Sequence, residues 1–403
     1  MKTHFLILFL IFIICYPASS ANNQEDDLPI IAYWGVTEKD MSEDAFRLFR
    51  ECGFTVSIFP YSSLISLQTA CKLAWKSGVK IIGNCPEMSA SPNQVASTLK
   101  TEKGFGGYLI KDEPNNIEIG EQLTKIRKIA TVDNEHILYI NLFPYYNPNL
   151  VKSSLKADSY SDYLRTASRT PCQQISFDFY PITTKGIRQT WYYNLEMIRN
   201  ESKNCGKPFW GFVLCTPHDV PYDKGNYYPN PTLASLRLQI YSNLAYGAQA
   251  IQYFTYWTPD GSDNFHFYNG PIGLNGKRTK TYYLVQQMNR ELKTVSKLFY
   301  SAKVLSVHHL GGIIPEGTTK QSQMPLNLKS LIVVSSKGAI ISQLEKNTHR
   351  YLAIVNKDYE NNIKVIVKPL NSTPRHLTKT LKEEPMKETY SISAGDILLF
   401  RLK

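Results

Sequence analysis

Asp112 and Glu113 stand side by side at the end of an apolar run, residues 108–110, and are followed by Pro114 and the polar pair Asn115 and Asn116. Two carboxyls at such a junction can divide acid and base work when their surroundings keep one of them protonated. The run before them reads as a buried strand, and the residues after them open a helical pattern. Strand, acidic pair and helix start, in that order, match the C-terminal face of a (β/α)8 barrel, where barrel chemistry sits. Part of the stretch also has a plainer use, since Asp or Asn caps a helix and Pro suits its first turn.

Elements that would position this pair recur along the chain. Apolar runs at 30–36, 54–60, 79–87, 108–113, 136–144, 174–182, 208–216 and 248–257 read as strands. Helical patterns alternate with them, at about 42–52, 66–78, 92–101, 117–131, 150–157 with 160–168, 186–204, 231–246 and 276–300. The strands are continuously apolar, as expected of a parallel sheet covered on both faces. Eight such units select a closed α/β TIM barrel, residues 29–301, over an open doubly wound sheet. From residue 302 the helical patterns stop. Short β runs separated by Gly, Asn and Pro turns predict a small all-β sandwich domain over 302–403.

The strand ends then become the place to look for function. They present Trp34 and Glu38; Tyr61; Glu87; Asp112 and Glu113; Asn141; Asp178 and Tyr180; His218 and Asp219; and Tyr256, Trp257, Asp260 and Asp263. This ring is rich in carboxylates and aromatics. It has no serine elbow, zinc-binding helix motif or phosphate loop. Carboxylates with aromatic walls suit glycosidic cleavage, in which one acid protonates the leaving oxygen and rings stack on the sugar. Glu113, Asp112 and Asp178 are the candidate catalytic residues. Trp34, Glu87, Asn141, Tyr180, His218, Asp219, Tyr256 and Trp257 are the candidate substrate-binding residues. No metal ligand set or cofactor is implied, because His and Cys do not cluster.

Residues 1–21 read as a secretory signal peptide, with Lys2, an apolar stretch at 5–15 and small residues at 18–21. An exported product, periplasmic, cell-surface or secreted, is expected, with no membrane span. Removing Lys2 takes the formal charge from +11 to +10. The basic residues are scattered, which argues against nucleic acid and leaves a carbohydrate as the expected partner. Six cysteines remain without a CxxC pair, and Cys52, Cys85 and Cys215 read as buried thiols.

ISFDFYPI, PFWGFVLC and LRLQIYSNLAYGAQAIQYFTYW, followed by GKRTKTYYLVQQMNREL, resemble exported Bacteroidetes-type barrel glycoside hydrolases. RYLAIVNKD and SISAGDILLFRL are similar to the sandwich such enzymes carry after the barrel. The resemblance implies a glycosidase with Glu113 as acid/base. The large retaining clan has Asn-Glu-Pro after strand four and a nucleophilic Glu after strand seven. Here the Asn position is Asp112, and no Glu occurs between Glu201 and Glu291. Three readings follow. Glu113 pairs with a carboxylate from another strand end, such as Asp178, Glu87 or Asp219. Alternatively, Asp112 and Glu113 act as in hexosaminidases that use the substrate's N-acetyl group. In the third reading the barrel binds glycans without cutting them.

Overall fold

In a computed structural model the chain is described over residues 27–221, 223–262, 265–371 and 374–403. The expected leader and Asp263 lie outside these residues. Eight parallel strands close a barrel: β1 (Ile30–Tyr33), β2 (Val56–Pro60), β3 (Lys80–Asn84), β4 (Phe105–Asp112), β5 (Ile137–Leu142), β6 (Ile175–Phe177), β7 (Phe209–Leu214) and β8 (Ala250–Phe254). β8 closes on β1 with Ile30 opposite Ile251. The helices of eight residues or more are α1 (Glu43–Glu51), α2 (Leu64–Lys76), α3 (Pro92–Leu99), α4 (Asn116–Val132), α5 (Tyr160–Ser168), α6 (Trp191–Cys205), α7 (Leu233–Tyr246) and α8 (Lys280–Phe299), with shorter helical turns at Glu87–Ala90 and Pro148–Ser153.

Local chemistry sets the boundaries of these elements. The Ala45 N–H donates to Ser42 Oγ at the start of α1. Asn115 and Glu118 form a reciprocal capping box at the start of α4. Gly247, at φ 105°, ends α7 in the left-handed region that favours glycine. The helix expected at 186–204 starts only at Trp191, because residues 182–187 fold into a hairpin with Gly186 at φ 100°. The helix expected from 276 begins at Lys280, where Thr279 caps it by accepting the Thr281 N–H. β6 is three residues long rather than the nine expected, and the chain leaves the sheet at Asp178.

Side chains alternate across the barrel wall. Ile31, Ile58, Ile82, Leu109, Tyr139, Trp210 and Ala250 fill the interior. The outward residues pack under the helices in a separate, larger core. Above the apolar fill lies a polar layer. Gln252 donates to Ser176 Oγ (2.9 Å), and the Tyr139 hydroxyl donates to Gln252 Oε1 (2.8 Å). Ser176 Oγ also stands 3.0 Å from Asn141 Oδ1. These groups satisfy one another, which is what makes a buried polar layer tolerable.

The C-terminal region contains β9 (Lys303–Leu310), β10 (Leu328–Val334), β11 (Ala339–Lys346), β12 (His349–Asn356), β13 (Ile363–Pro369), β14 (Arg375–Leu377), β15 (Glu383–Glu384), β16 (Thr389–Ile392) and β17 (Ile397–Arg401). They form antiparallel sheets of six strands (β9-β11-β12-β17-β14-β15) and three (β10-β13-β16) around a shared apolar core. The six-stranded sheet meets the barrel at α7, where the Ser342 hydroxyl donates to Ala245 O (2.7 Å). Beside this contact, Arg237 and Lys379 pair with Glu291 and Asp396.

Candidate active site

An irregularity in β4 aims the acidic pair. Leu109 pairs with Tyr139 and points inward, so strict alternation would send Lys111 inward as well. A bulge between Leu109 and Lys111 shifts the register, and Asp112 pairs with Asn141 instead. Lys111 therefore points outward to Glu118 (3.2 Å), and Asp112 points into the barrel mouth. Glu113 follows in the left-handed region, at φ 44°, a strained conformation for a non-glycine residue. Its N–H donates to Asn141 O (2.9 Å). The Tyr163 hydroxyl donates to Pro114 O (2.8 Å) and fixes the next residue.

Asn141, only 2% exposed, links the acids. Its amide donates to Asp112 Oδ1 (3.2 Å) and to Asp178 Oδ1 (3.0 Å). The Tyr33 hydroxyl also favours the charged form of Asp112, and the Tyr180 hydroxyl that of Asp178. Each aspartate thus has two neutral donors that favour its charged form. Glu113 has none of these, and Asp178 beside it favours its protonated form. Burial raises all three carboxyls above their ordinary range. For Glu113 the charges of Asp178 and Asp112 add to it, and for Asp178 the charge of Asp112. Glu113, without such donors, is the carboxyl raised furthest. Asp112 and Glu113 remain open to solvent on one side while protein surrounds the others, so the group is desolvated and still reachable.

Five of the expected residues therefore meet: Asp112, Glu113, Asn141, Asp178 and Tyr180. His218 stands edge-on to Tyr180 (6.1 Å) within a cluster that includes Tyr228, Phe254 and Phe267. Burial pushes its pKa down to about 4, and its Nδ1 lies 2.8 Å from Thr216 O. Trp34 and Trp257 close the side between β1 and β8, the Trp257 N–H donating to Trp34 O (3.1 Å).

The other three expected residues are not in the cluster. Glu87 caps α2, accepting the Leu64 N–H (3.1 Å), and backbone hydrogen bonds hold its pKa low. Asp219 is tied to His266 on the outer rim, by backbone (2.9 Å) and ring (3.0 Å). Tyr256 is fully buried among Phe49, Phe54 and Tyr282, beneath the helices rather than in the mouth.

The structure adds Tyr33, Tyr146, Tyr163, Arg188 and Tyr228 to the surroundings. Period-two alternation from Ile31 could have found Tyr33. Arg188 was obscured by the expected helix at 186–204. Cavities of about 420 and 210 Å³ lie near the N-terminal ends of strands, beside Phe209 and Ile30, away from the acids. Among the described residues no set of His, Cys, Asp and Glu is arranged to hold a metal, and all six described cysteines are free thiols.

Residues 140–295 match the family model described as Beta-galactosidase, of glycoside hydrolase family 42. That span includes Asp178 and the end of β7, and it begins after Glu113. No curated protein matches the chain in sequence. A beta-galactosidase from Bacillus circulans sp. alkalophilus superimposes with a TM-score of 0.61 at 8% identity, over 95% of this chain and 100% of that one. A catalytic mutant of a family 42 beta-galactosidase from G. stearothermophilus gives 0.58 at 7% identity, over 94% and 98%. A family 5 glycoside hydrolase from Bacteroides vulgatus gives 0.56 at 11% identity, over 94% and 89%. The chain spans 60% of a longer beta-galactosidase from the psychrophilic Marinomonas ef1. At these identities the structural likeness establishes the barrel fold alone. The chain is thus similar to glycoside hydrolases in fold and, over residues 140–295, in sequence.

Proposed function

We propose that the chain hydrolyses a glycosidic bond of an oligo- or polysaccharide outside the cytoplasm, with Glu113 as general acid/base and Asp178 as the second carboxylate. The observation that carries this is the meeting of Asp112, Glu113 and Asp178 about Asn141 in the barrel mouth, where burial and the two aspartate charges raise Glu113. A carboxyl still protonated near neutral pH can give its proton to the leaving oxygen. Asp178, held by Asn141 and Tyr180, faces the charge that develops on the sugar. Tyr33, Tyr146 and Tyr180 offer ring faces to it. Export is supported by the leader-like residues 1–21.

A second reading has its own support. Asp112 and Asp178 both flank Glu113, as residues steadying a substrate amide would. The chain after β7, Cys215–Thr216–Pro217, offers no carboxylate. Both facts suit a substrate that brings its own nucleophile, an N-acetyl group steadied by Asp112 or Asp178. Assays on paired glycosides decide between the readings. Hydrolysis of N-acetylhexosaminides alone, blocked by a thiazoline analogue, selects the second, and hydrolysis of plain hexosides selects the first. A wild-type protein that binds glycans but turns over none of a broad panel refutes both.

A further inference from the structure

Arg188 follows the hairpin that leaves β6, and its N–H donates to Pro181 O (2.8 Å). Its half-buried guanidinium lies between rings from the two flanking loops, 5.3 Å from the centroid of Tyr146 and 5.6 Å from that of Tyr228. Nη2 donates to the Tyr228 hydroxyl (3.2 Å). Nε is buried without a partner, and Nη1 makes no hydrogen bond to the described residues. No described carboxylate forms an ion pair with it. Asp223 is within Coulombic reach, but its oxygens are engaged by Lys185 (2.7 Å) and Asn226 (2.9 Å).

A half-buried cation with a buried, unpartnered Nε and no ion-paired carboxylate is incompletely satisfied. Two ring faces offset part of that through cation–π attraction. Neither supplies the planar, bidentate acceptor that a guanidinium fits best. The location is informative as well. Tyr228 stands edge-on to Tyr180 (5.8 Å), the tyrosine beside Asp178, so Arg188 lies within two rings of the acidic cluster. An anion seated there would be held beside the acids and not against them. The chain's formal charge of +11 would also draw an anionic polymer towards it.

We propose that Arg188 reads an anionic substituent, a uronate carboxylate or a sulfate ester, on the sugar held in the mouth. The proposal rests on the hydrolase reading above and names the substrate class for the same site. It is tested with 4-nitrophenyl glucuronide and galacturonide, with 6-sulfated glucoside and galactoside, and with their neutral parents. Wild type, Arg188→Lys and Arg188→Gln are compared. Wild type is expected to favour an anionic glycoside over its parent by about tenfold or more in kcat/KM, as for a charge-assisted hydrogen bond. Arg188→Gln should lower kcat/KM on that glycoside about tenfold more than on the parent, chiefly through KM, with Arg188→Lys between them. Preference for uronides alone or sulfates alone identifies the anion. Equal turnover of neutral and anionic sugars, or equal losses on both in Arg188→Gln, overturns the proposal and leaves Arg188 as a stacking pillar. If no glycoside is turned over, the hydrolase reading falls, and calorimetry with oligogalacturonate and a sulfated galactan oligosaccharide still decides. Binding that weakens in Arg188→Gln sustains the anion site, and absent or unchanged binding ends it.

Discussion

The rim of the barrel has two unlike arcs. The arc over β4, β5 and β6 collects Asp112, Glu113, Asn141 and Asp178 into one cluster. The arc over β7 and β8 is apolar and aromatic, with His218, Tyr228, Phe254, Phe265 and Phe267 packed together. A retaining glycosidase of the large clan would divide its two acids between these arcs. This chain places its clustered acids on one of them. The aromatic arc then has shape and stacking to offer, and the acidic arc has the chemistry. Burial raises all three carboxyls, and the clustering adds to it for Glu113 and Asp178.

Substitutions that act on one arc alone sharpen the contrast. The largest effect is expected at Glu113. Glu113→Gln should lower kcat/KM on alkyl glycosides by about a thousandfold, within the range of general acid catalysis, with unchanged melting. Asp178→Asn comes next, at about a hundredfold by the same principle. It should also move the pH profile. Glu113 must be protonated to act, and its pKa is raised by burial and by the charge of Asp178, so wild-type activity falls as pH rises through that raised value. Removing the charge lowers the pKa, and the alkaline limb must shift to lower pH. An unmoved limb would show that the charge of Asp178 does not act on Glu113.

On the aromatic arc, His218→Phe breaks the contact with Thr216 O and should destabilise the fold by about 1 kcal/mol. Neither pH limb should move, because burial keeps His218 neutral at every pH above about 4. A limb that shifts in this variant would bring the second arc into the chemistry. The smallest effect is expected for Glu87→Gln, which weakens the cap on α2 and should leave turnover within about a factor of two.

These contrasts also show what a sequence can and cannot reveal. Eight alternating units were legible as a barrel because each strand is a continuous apolar run between capped helices. Asp112, Glu113, Asn141, Asp178 and Tyr180 were legible as strand-end residues. The direction of Asp112 was not. It depends on one inserted residue in β4, and no periodicity announces a bulge. Tyr256 was misplaced for a related reason. A strand end offers inward and outward positions, and Tyr256 took the outward one, under α1 and α8. Glu87 and Asp219 found partners in neighbouring loops, a tertiary matter that their own segments do not encode.

The central claim is that Glu113 gives its proton to the leaving oxygen, and leaving-group dependence tests it most directly. Wild type and Glu113→Gln are to be compared on an alkyl glycoside, which needs protonation, and on the matching 2,4-dinitrophenyl glycoside, which does not. The account predicts a loss of about a thousandfold on the first and a far smaller one on the second. Equal losses on both, or no loss on either, would contradict it.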